Sequence, residues 1–391
     1  MQTIRHIITI LLSLAFIQFG GFSVAQTEVY PPNQPSSGPG GADYPHQGFK
    51  CFEYGEGKSK YWIYEPADPK PSSAPVIVFN HGWGAIDPAP YSRWLEHLAR
   101  KGNIVIYPAY QEKVLSPAVY YTENAIQAVK SAKMHLDSES EHVFPNWDAF
   151  LIAGHSMGGL VTINMACLWQ DYGLPEPKAI LSVEPADPVE TQLFVGRNQP
   201  SLIANIRKLS PTLKMVITLG SDDEVIKDSV ARFVYEQSTQ IPITQKNLLT
   251  LQTDDHGNEV LLADHSSPLT SGGFRREGEV DALDYFGYWR LLDALRDTVY
   301  LGTNEIYALG NSNEMRFMGK WSDGTAVKEI SVAELQNSNP FALGPWLYFY
   351  QYPWIFNQTE SRWYYYKILH QDEIWVQNPD DYSWQYAVSI P

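Results

Sequence analysis

The chain of 391 residues carries 28 Lys and Arg against 44 Asp and Glu, a formal net charge of −16, with 44% apolar and 13% aromatic residues. That apolar share is ample for a globular core and excludes wholesale disorder. The acidic balance, without any basic run, argues against nucleic acid as a partner, because neutralising phosphates takes clustered Lys and Arg.

Arg5 and His6 precede an apolar stretch from Ile7 to Ile17, and Ser23-Val24-Ala25 offers small residues for cleavage. Residues 1–25 therefore read as a secretory signal peptide, too short in its apolar part for the roughly 20 residues of a bilayer span. No later segment reads as a membrane span, so the expected location is secreted or periplasmic. Residues 26–45, rich in Pro, Gly and Ser, read as a flexible leader. Cys51 and Cys167 are too few for a disulfide scaffold; export permits a bond between them, but nothing in the sequence says that they meet.

From residue 46 an alternation begins. Tyr61–Tyr64 is a short strand, and Pro75–Asn80 is a continuous apolar run, as expected of a strand buried on both faces. Tyr91, Trp94, Leu95 and Leu98 follow at helical spacing, closed by Gly102. The unit repeats: strand Ile104–Tyr107 with the helix face Ala125, Val129, Ala132 and Leu136, then strand Phe150–Ala153 with a helix from Leu160 to Trp169. Strands Ala179–Val183, Met215–Leu219 and Leu248–Leu251 come next, with a helix face at Val230, Phe233 and Val234 and a last helix over Leu283–Leu295. Such alternation means an α/β fold, a mostly parallel sheet with helices on both faces, over residues 46–332.

Residues 333–391 differ in character. The last 51 residues hold sixteen aromatics, and Trp354 and Trp363 stand nine apart, as do Trp375 and Trp384. Turn-prone residues fall between each pair, so the region reads as two aromatic β-hairpins, an extension that covers the main domain, binds a polymer or carbohydrate surface, or mediates self-association or cell-surface display. Trp321-Ser322-Asp323-Gly324 reads as a turn closing the connecting β segment.

The chemistry centres on Gly154-His155-Ser156-Met157-Gly158-Gly159. Gly-x-Ser-x-Gly directly after a strand and opening a helix is a nucleophile elbow, in which glycines permit a turn too tight for side chains and the serine hydroxyl is exposed. The Met157 amide, at the helix N-terminus, can donate to a developing oxyanion. His81-Gly82-Trp83-Gly84, after the strand ending at Asn80, supplies a candidate second donor in the Trp83 amide. Trp83 also suggests an aromatic wall for substrate, with Tyr110, Tyr107 or Trp147 as further candidates.

Together these motifs resemble the α/β-hydrolase superfamily over about residues 45–300, most of all its branch of dienelactone hydrolases, cutinase-type polyester hydrolases and platelet-activating-factor acetylhydrolases. The resemblance implies Ser156 as nucleophile, an acid after the second strand beyond the elbow, and a histidine after the final strand. The family pattern selects Asp223 in Gly220-Ser221-Asp222-Asp223-Glu224-Val225, with Asp222 beside it and Glu184, one strand earlier, as alternatives. For the base, His265 hangs from a loop that suits the role, while His256 has the more usual spacing from the acid. His155 is expected to point into the core beneath the nucleophile. The implied reaction is cleavage of a carboxylic ester, small or polymeric, through a Ser-His-Asp triad and an acyl-enzyme. No metal or cofactor is expected. Acyl transfer or peptide cleavage on the same triad, and a non-catalytic hydrolase-like surface binder, are the rival readings.

Overall fold

The computed structural model describes residues 28–188, 201–270 and 280–333, together with the strands between Leu347 and Ser389. The expected signal peptide, residues 1–25, lies outside the described residues.

Nine strands form the main sheet: β1 (Gly48–Tyr54), β2 (Tyr61–Ala67), β3 (Ser73–Asn80), β4 (Ile104–Pro108), β5 (Phe144–His155), β6 (Ala179–Val183), β7 (Lys214–Gly220), β8 (Lys246–Leu251) and β9 (Ser331–Val332), in the order β1-β2-β4-β3-β5-β6-β7-β8-β9. Strands β3 to β8 run parallel; β1, β2 and β9 pair antiparallel at the two margins. This is the α/β-hydrolase fold.

The long apolar runs alternate between two cores. Val76, Val78, Ile104, Ile106, Phe150 and Ile152 pack with α2 (Tyr121–Ser138), α3 (Met157–Tyr172) and α4 (Ser229–Gln237) on one face. Ile77, Phe79, Val105, Tyr107, Leu151 and Ala153 pack on the other with α1 (Ser92–Arg100) and α5 (Trp289–Tyr300). Both faces are thus dry, which is why these strands read as unbroken apolar runs rather than alternating ones.

The chain leaves β3 for β4 on one side and returns to β5 on the other. The strand order therefore reverses at β3, and a crevice opens beyond the carboxyl ends of β3 and β5, where ligands of open α/β sheets sit.

Two departures from the sequence reading have physical causes. The leader is packed from residue 28 on, not loose: Gly40 N–H donates to buried Asp293 (2.8 Å), the Tyr44 hydroxyl bonds His97 Nδ1 (3.0 Å), and Lys101 Nζ reaches Asp43 (2.5 Å). The last helix is interrupted: a single π-turn, Asp284–Tyr288, precedes α5 and re-aims Tyr288. Cys51 and Cys167 are both free thiols.

The turn at Trp321 forms as read, with Gly324 N–H donating to the Trp321 carbonyl (2.8 Å). The C-terminal strands make a second, five-stranded antiparallel sheet: β10 (Leu347–Gln351), β11 (Trp354–Asn357), β12 (Arg362–His370), β13 (Glu373–Gln377) and β14 (Trp384–Ser389). The two expected hairpins are β11–β12 and β13–β14, with Phe356 opposite Trp363 and Gln377 opposite Trp384. The expected polymer or cell-surface contact rests on side chains outside the described residues. Among the described residues, no helix is long and apolar enough to cross a membrane.

Candidate active site

Ser156 stands between β5 and α3 at φ 56°, ψ −124°, a region non-glycine residues rarely occupy. Its backbone is clamped on both sides, with Ser156 N–H donating to the Val183 carbonyl (2.9 Å) and Ala186 N–H to the Ser156 carbonyl (3.1 Å). The flanking glycines are steric necessities. A Cβ at Gly154 would stand 2.4 Å from the Gly158 carbonyl oxygen, and one at Gly158 would stand 2.1 Å from that of Asn80.

The structure brings Ser156, His265 and Asp223 together. Ser156 Oγ lies 2.9 Å from His265 Nε2, and His265 Nδ1 lies 2.7 Å from Asp223 Oδ2. Asp223 Oδ1 accepts the amides of Val225 (2.8 Å) and Ile226 (3.0 Å), so the turn after β7 fixes the carboxylate. Burial pulls the His265 pKa down, but hydrogen bonds to Asp223 and Glu184, with the charges of both, outweigh it and raise the imidazole to about 9.

Glu184, the alternative acid, is also present. It is fully buried, its Oε2 lies 3.4 Å from His265 Nδ1 and 3.2 Å from His155 Nε2, and the Tyr288 hydroxyl reaches its Oε1 at 3.3 Å. Burial raises its carboxyl, but hydrogen bonds from His155 and His265 hold it below the ordinary range. His155 is buried, as expected, yet in a polar setting: the Tyr91 hydroxyl bonds its Nδ1 (2.8 Å) and accepts from Gly82 N–H (2.9 Å). Burial lowers its pKa and keeps the ring neutral.

Three residues here have side chains of metal-ligating type, and ligand atoms of His155, Glu184 and His265 lie within 4.8 Å of one another. The hydrogen-bond directions decide how they are used. Gly82 N–H can only donate to Tyr91, leaving the Tyr91 proton for His155 Nδ1, so His155 Nε2 carries its own proton toward Glu184. In the neutral ring that accepts from Ser156 Oγ at Nε2, the His265 proton is on Nδ1 and points to Asp223. The set is knit by hydrogen bonds among its own members and to Tyr91, Ser156 and Asp223.

A cavity of about 580 Å³ opens over Ser156, lined by Trp83, Tyr91, Val114, Val225, His265 and Leu269 among others. Trp83 lies on its wall as expected, its indole bonded to the Tyr121 hydroxyl. The amides of Gly84 (3.0 Å to Gln111 Oε1) and Ala85 (3.1 Å to the Gly82 carbonyl) are engaged within the protein and fix the loop beneath that ring. Met157 opens α3, so its amide belongs to the first turn, whose N–H groups have no partner inside the helix.

Other candidates lie elsewhere. Tyr110 is not in the cavity wall; it is fully buried, stacks on His81 with ring centroids 4.0 Å apart, and bonds the His81 carbonyl, supporting the loop from behind. Tyr107 is core, its hydroxyl on the Ala85 carbonyl (2.6 Å), and Trp147 bonds Asp137 (2.8 Å) away from the site. His256 bonds Asp323 (2.8 Å) and lies against Trp321, so it has no part in the Ser156 contact. Asp222 lines the cavity, but the His265 bond goes to Asp223. Sequence reasoning missed Tyr91, which it assigned only to a helix face, and Tyr288, which it did not single out. Their hydroxyls carry polar links that no periodicity reveals.

A family model described as Chlorophyllase matches residues 61–221. That span holds the loop with Trp83, the elbow and Glu184, and ends before Asp223 and His265. No curated protein matches the chain. The sheet has the topology of the α/β-hydrolase fold, and over residues 61–221 the chain is similar to the chlorophyllase family, which supports an esterase-type hydrolase.

Proposed function

We propose that this protein is an exported serine carboxylic ester hydrolase with Ser156 as nucleophile, His265 as base and Asp223 as acid. The observation that carries the reading is the continuous hydrogen-bond line from Ser156 Oγ through His265 to Asp223, at 2.9 and 2.7 Å, on the floor of the cavity. His265 Nε2 takes the Ser156 proton as Oγ attacks the ester carbonyl carbon. The amides of Trp83 and Met157 receive the oxyanion. His265 then protonates the departing alkoxide, leaving an acyl-Ser156. Water, deprotonated by His265, attacks that acyl group, the acid departs, and Ser156 recovers its proton.

The substrate class is an ester with compact apolar groups, free or at the surface of a polymer, because Trp83, Ala85, Pro90, Val114, Val225 and Leu269 give the cavity an apolar wall beside its polar and acidic groups. Export rests on the charged start, apolar stretch and small-residue site of residues 1–25. Turnover of p-nitrophenyl butyrate tests the assignment. Ser156→Ala and His265→Ala are expected to lose on the order of 10⁴-fold or more, and His256→Ala to keep the parent rate. Full turnover by Ser156→Ala contradicts the reading.

A further inference from the structure

Two carboxylates approach the same imidazole nitrogen. Asp223 Oδ2 stands 2.7 Å and Glu184 Oε2 3.4 Å from His265 Nδ1, and they arrive from different strands, β7 and β6. Glu184 is no bystander at the surface. It is fully buried, at φ 47°, with its own N–H on the Thr218 carbonyl (2.8 Å), so the backbone holds a left-handed turn that delivers this carboxylate inward. His155 Nε2–H donates to Oε2 (3.2 Å) and the Tyr288 hydroxyl to Oε1 (3.3 Å), while His265 Nδ1 stands at ion-pair distance, 3.4 Å, from Oε2. A buried carboxylate without such partners is strongly disfavoured as an ion.

We infer that Glu184 is a second carboxylate for His265, a positioning residue that shares the Nδ1 proton with Asp223 and fixes the ring over Ser156. The inference rests on the serine hydrolase reading and deepens it. Glu184 also joins the imidazole to the loop bearing Trp83, through His155, Tyr91 and Gly82 N–H. The same chain thus sets the base and the floor of the oxyanion loop. The charged and titratable groups around the ring are His155 from β5, Glu184 from β6, and Asp222, Asp223 and Glu224 from the turn after β7. Asp264 comes from the loop of His265 itself, and Tyr91 and Tyr288 stand one contact further out. Of these the two carboxylates on Nδ1 favour the imidazolium most directly, and the ring is correspondingly raised, to about 9.

The test compares kcat/KM for p-nitrophenyl butyrate against pH in the parent, Ser156→Ala, E184Q, D223A and the D223A/E184Q double variant, with the melting temperature of each. E184Q keeps the shape of the side chain and removes the charge. Its acid limb is expected to move down by about one pH unit, a displacement that a merely structural residue would not cause. D223A leaves Glu184 to take Nδ1–H and is expected to keep at least about tenfold more turnover than the double variant or Ser156→Ala. Superimposable pH profiles for E184Q and parent overturn the inference. So does D223A turnover equal to that of Ser156→Ala, which decides the matter even if E184Q does not fold. Full turnover in Ser156→Ala is a separate result, and it removes the underlying reading as well.

Discussion

Ser156 and His265 carry the account at the scale of single residues, and each is held by forces that the sequence reveals unequally. The elbow strain, of order 1–3 kcal/mol, is compensated by hydrogen bonds on both sides of Ser156 and by glycines without which Asn80 and Gly158 would clash. That part was legible, because only glycine fits those positions. The identity of the base was open between His256 and His265, since spacing does not record which loop folds over the sheet edge. Asp323 and Trp321 hold His256 away, whereas Asp223 holds His265 in place.

The raised pKa of His265 has two consequences of opposite sign. Catalysis needs the neutral ring, so kcat/KM is expected to rise about tenfold per pH unit up to about pH 9 and to level off above it. A limb at or below the ordinary imidazole value of about 6.5 contradicts the paired-carboxylate environment. For folding, the raised value adds stability that is complete below about pH 6.5 and is lost as pH rises through about 9.

Elements were legible where burial imposes a pattern. Strands β3 to β8 announce themselves because both faces are covered, so their central positions are mostly apolar. Strand β1 was invisible: most of its residues face solvent, and Lys50 and Glu53 mark it as a guarded edge. The two-residue β9 and the π-turn before α5 were equally hidden, since neither leaves a period to read. The connection between β4 and α2 is unusual in another way. Val114 lines the cavity, and its chain neighbour Leu115, at the rim, is 83% exposed, with Val119 and Tyr120 also exposed further along the same connection. Singly exposed apolar residues need no explanation, but one next to a cavity-lining residue is placed to meet an apolar ester surface under the proposed function. L115S is therefore expected to slow attack on an insoluble aliphatic polyester severalfold while leaving p-nitrophenyl butyrate turnover unchanged. Equal loss on both substrates, measured by product release, contradicts a role for the rim in surface contact.

For the molecule as a whole, the leader is the largest revision. Its Pro-Gly-Ser composition reads as loose, yet it clasps α1 and α5 through one buried acid. Asp293 Oδ2 accepts from Gly40 N–H (2.8 Å) and His97 Nε2 (2.9 Å), and Arg100 lies over the Tyr44 ring at 3.9 Å. Composition reports local freedom, and it cannot report a distant carboxylate waiting to bind a glycine amide. Burial pushes Asp293 up, but the charge and hydrogen bond of His97 hold it below the ordinary carboxylate value. Its contribution is accordingly present above that value and is lost as pH falls through the lowered one. D293A strands the Gly40 amide and His97, and urea unfolding at neutral pH is expected to show a loss of about 3–5 kcal/mol. A loss below about 1 kcal/mol would mean that the leader adds nothing to the fold.

The central claim, that Ser156 is a nucleophile activated by His265, is tested most directly by covalent capture. Folded protein treated with a fluorophosphonate and analysed by peptide mass spectrometry is expected to carry one adduct, on the peptide containing Ser156, and H265A to suppress its formation. Folded parent protein that takes up no adduct, or takes it up at another residue, contradicts the account.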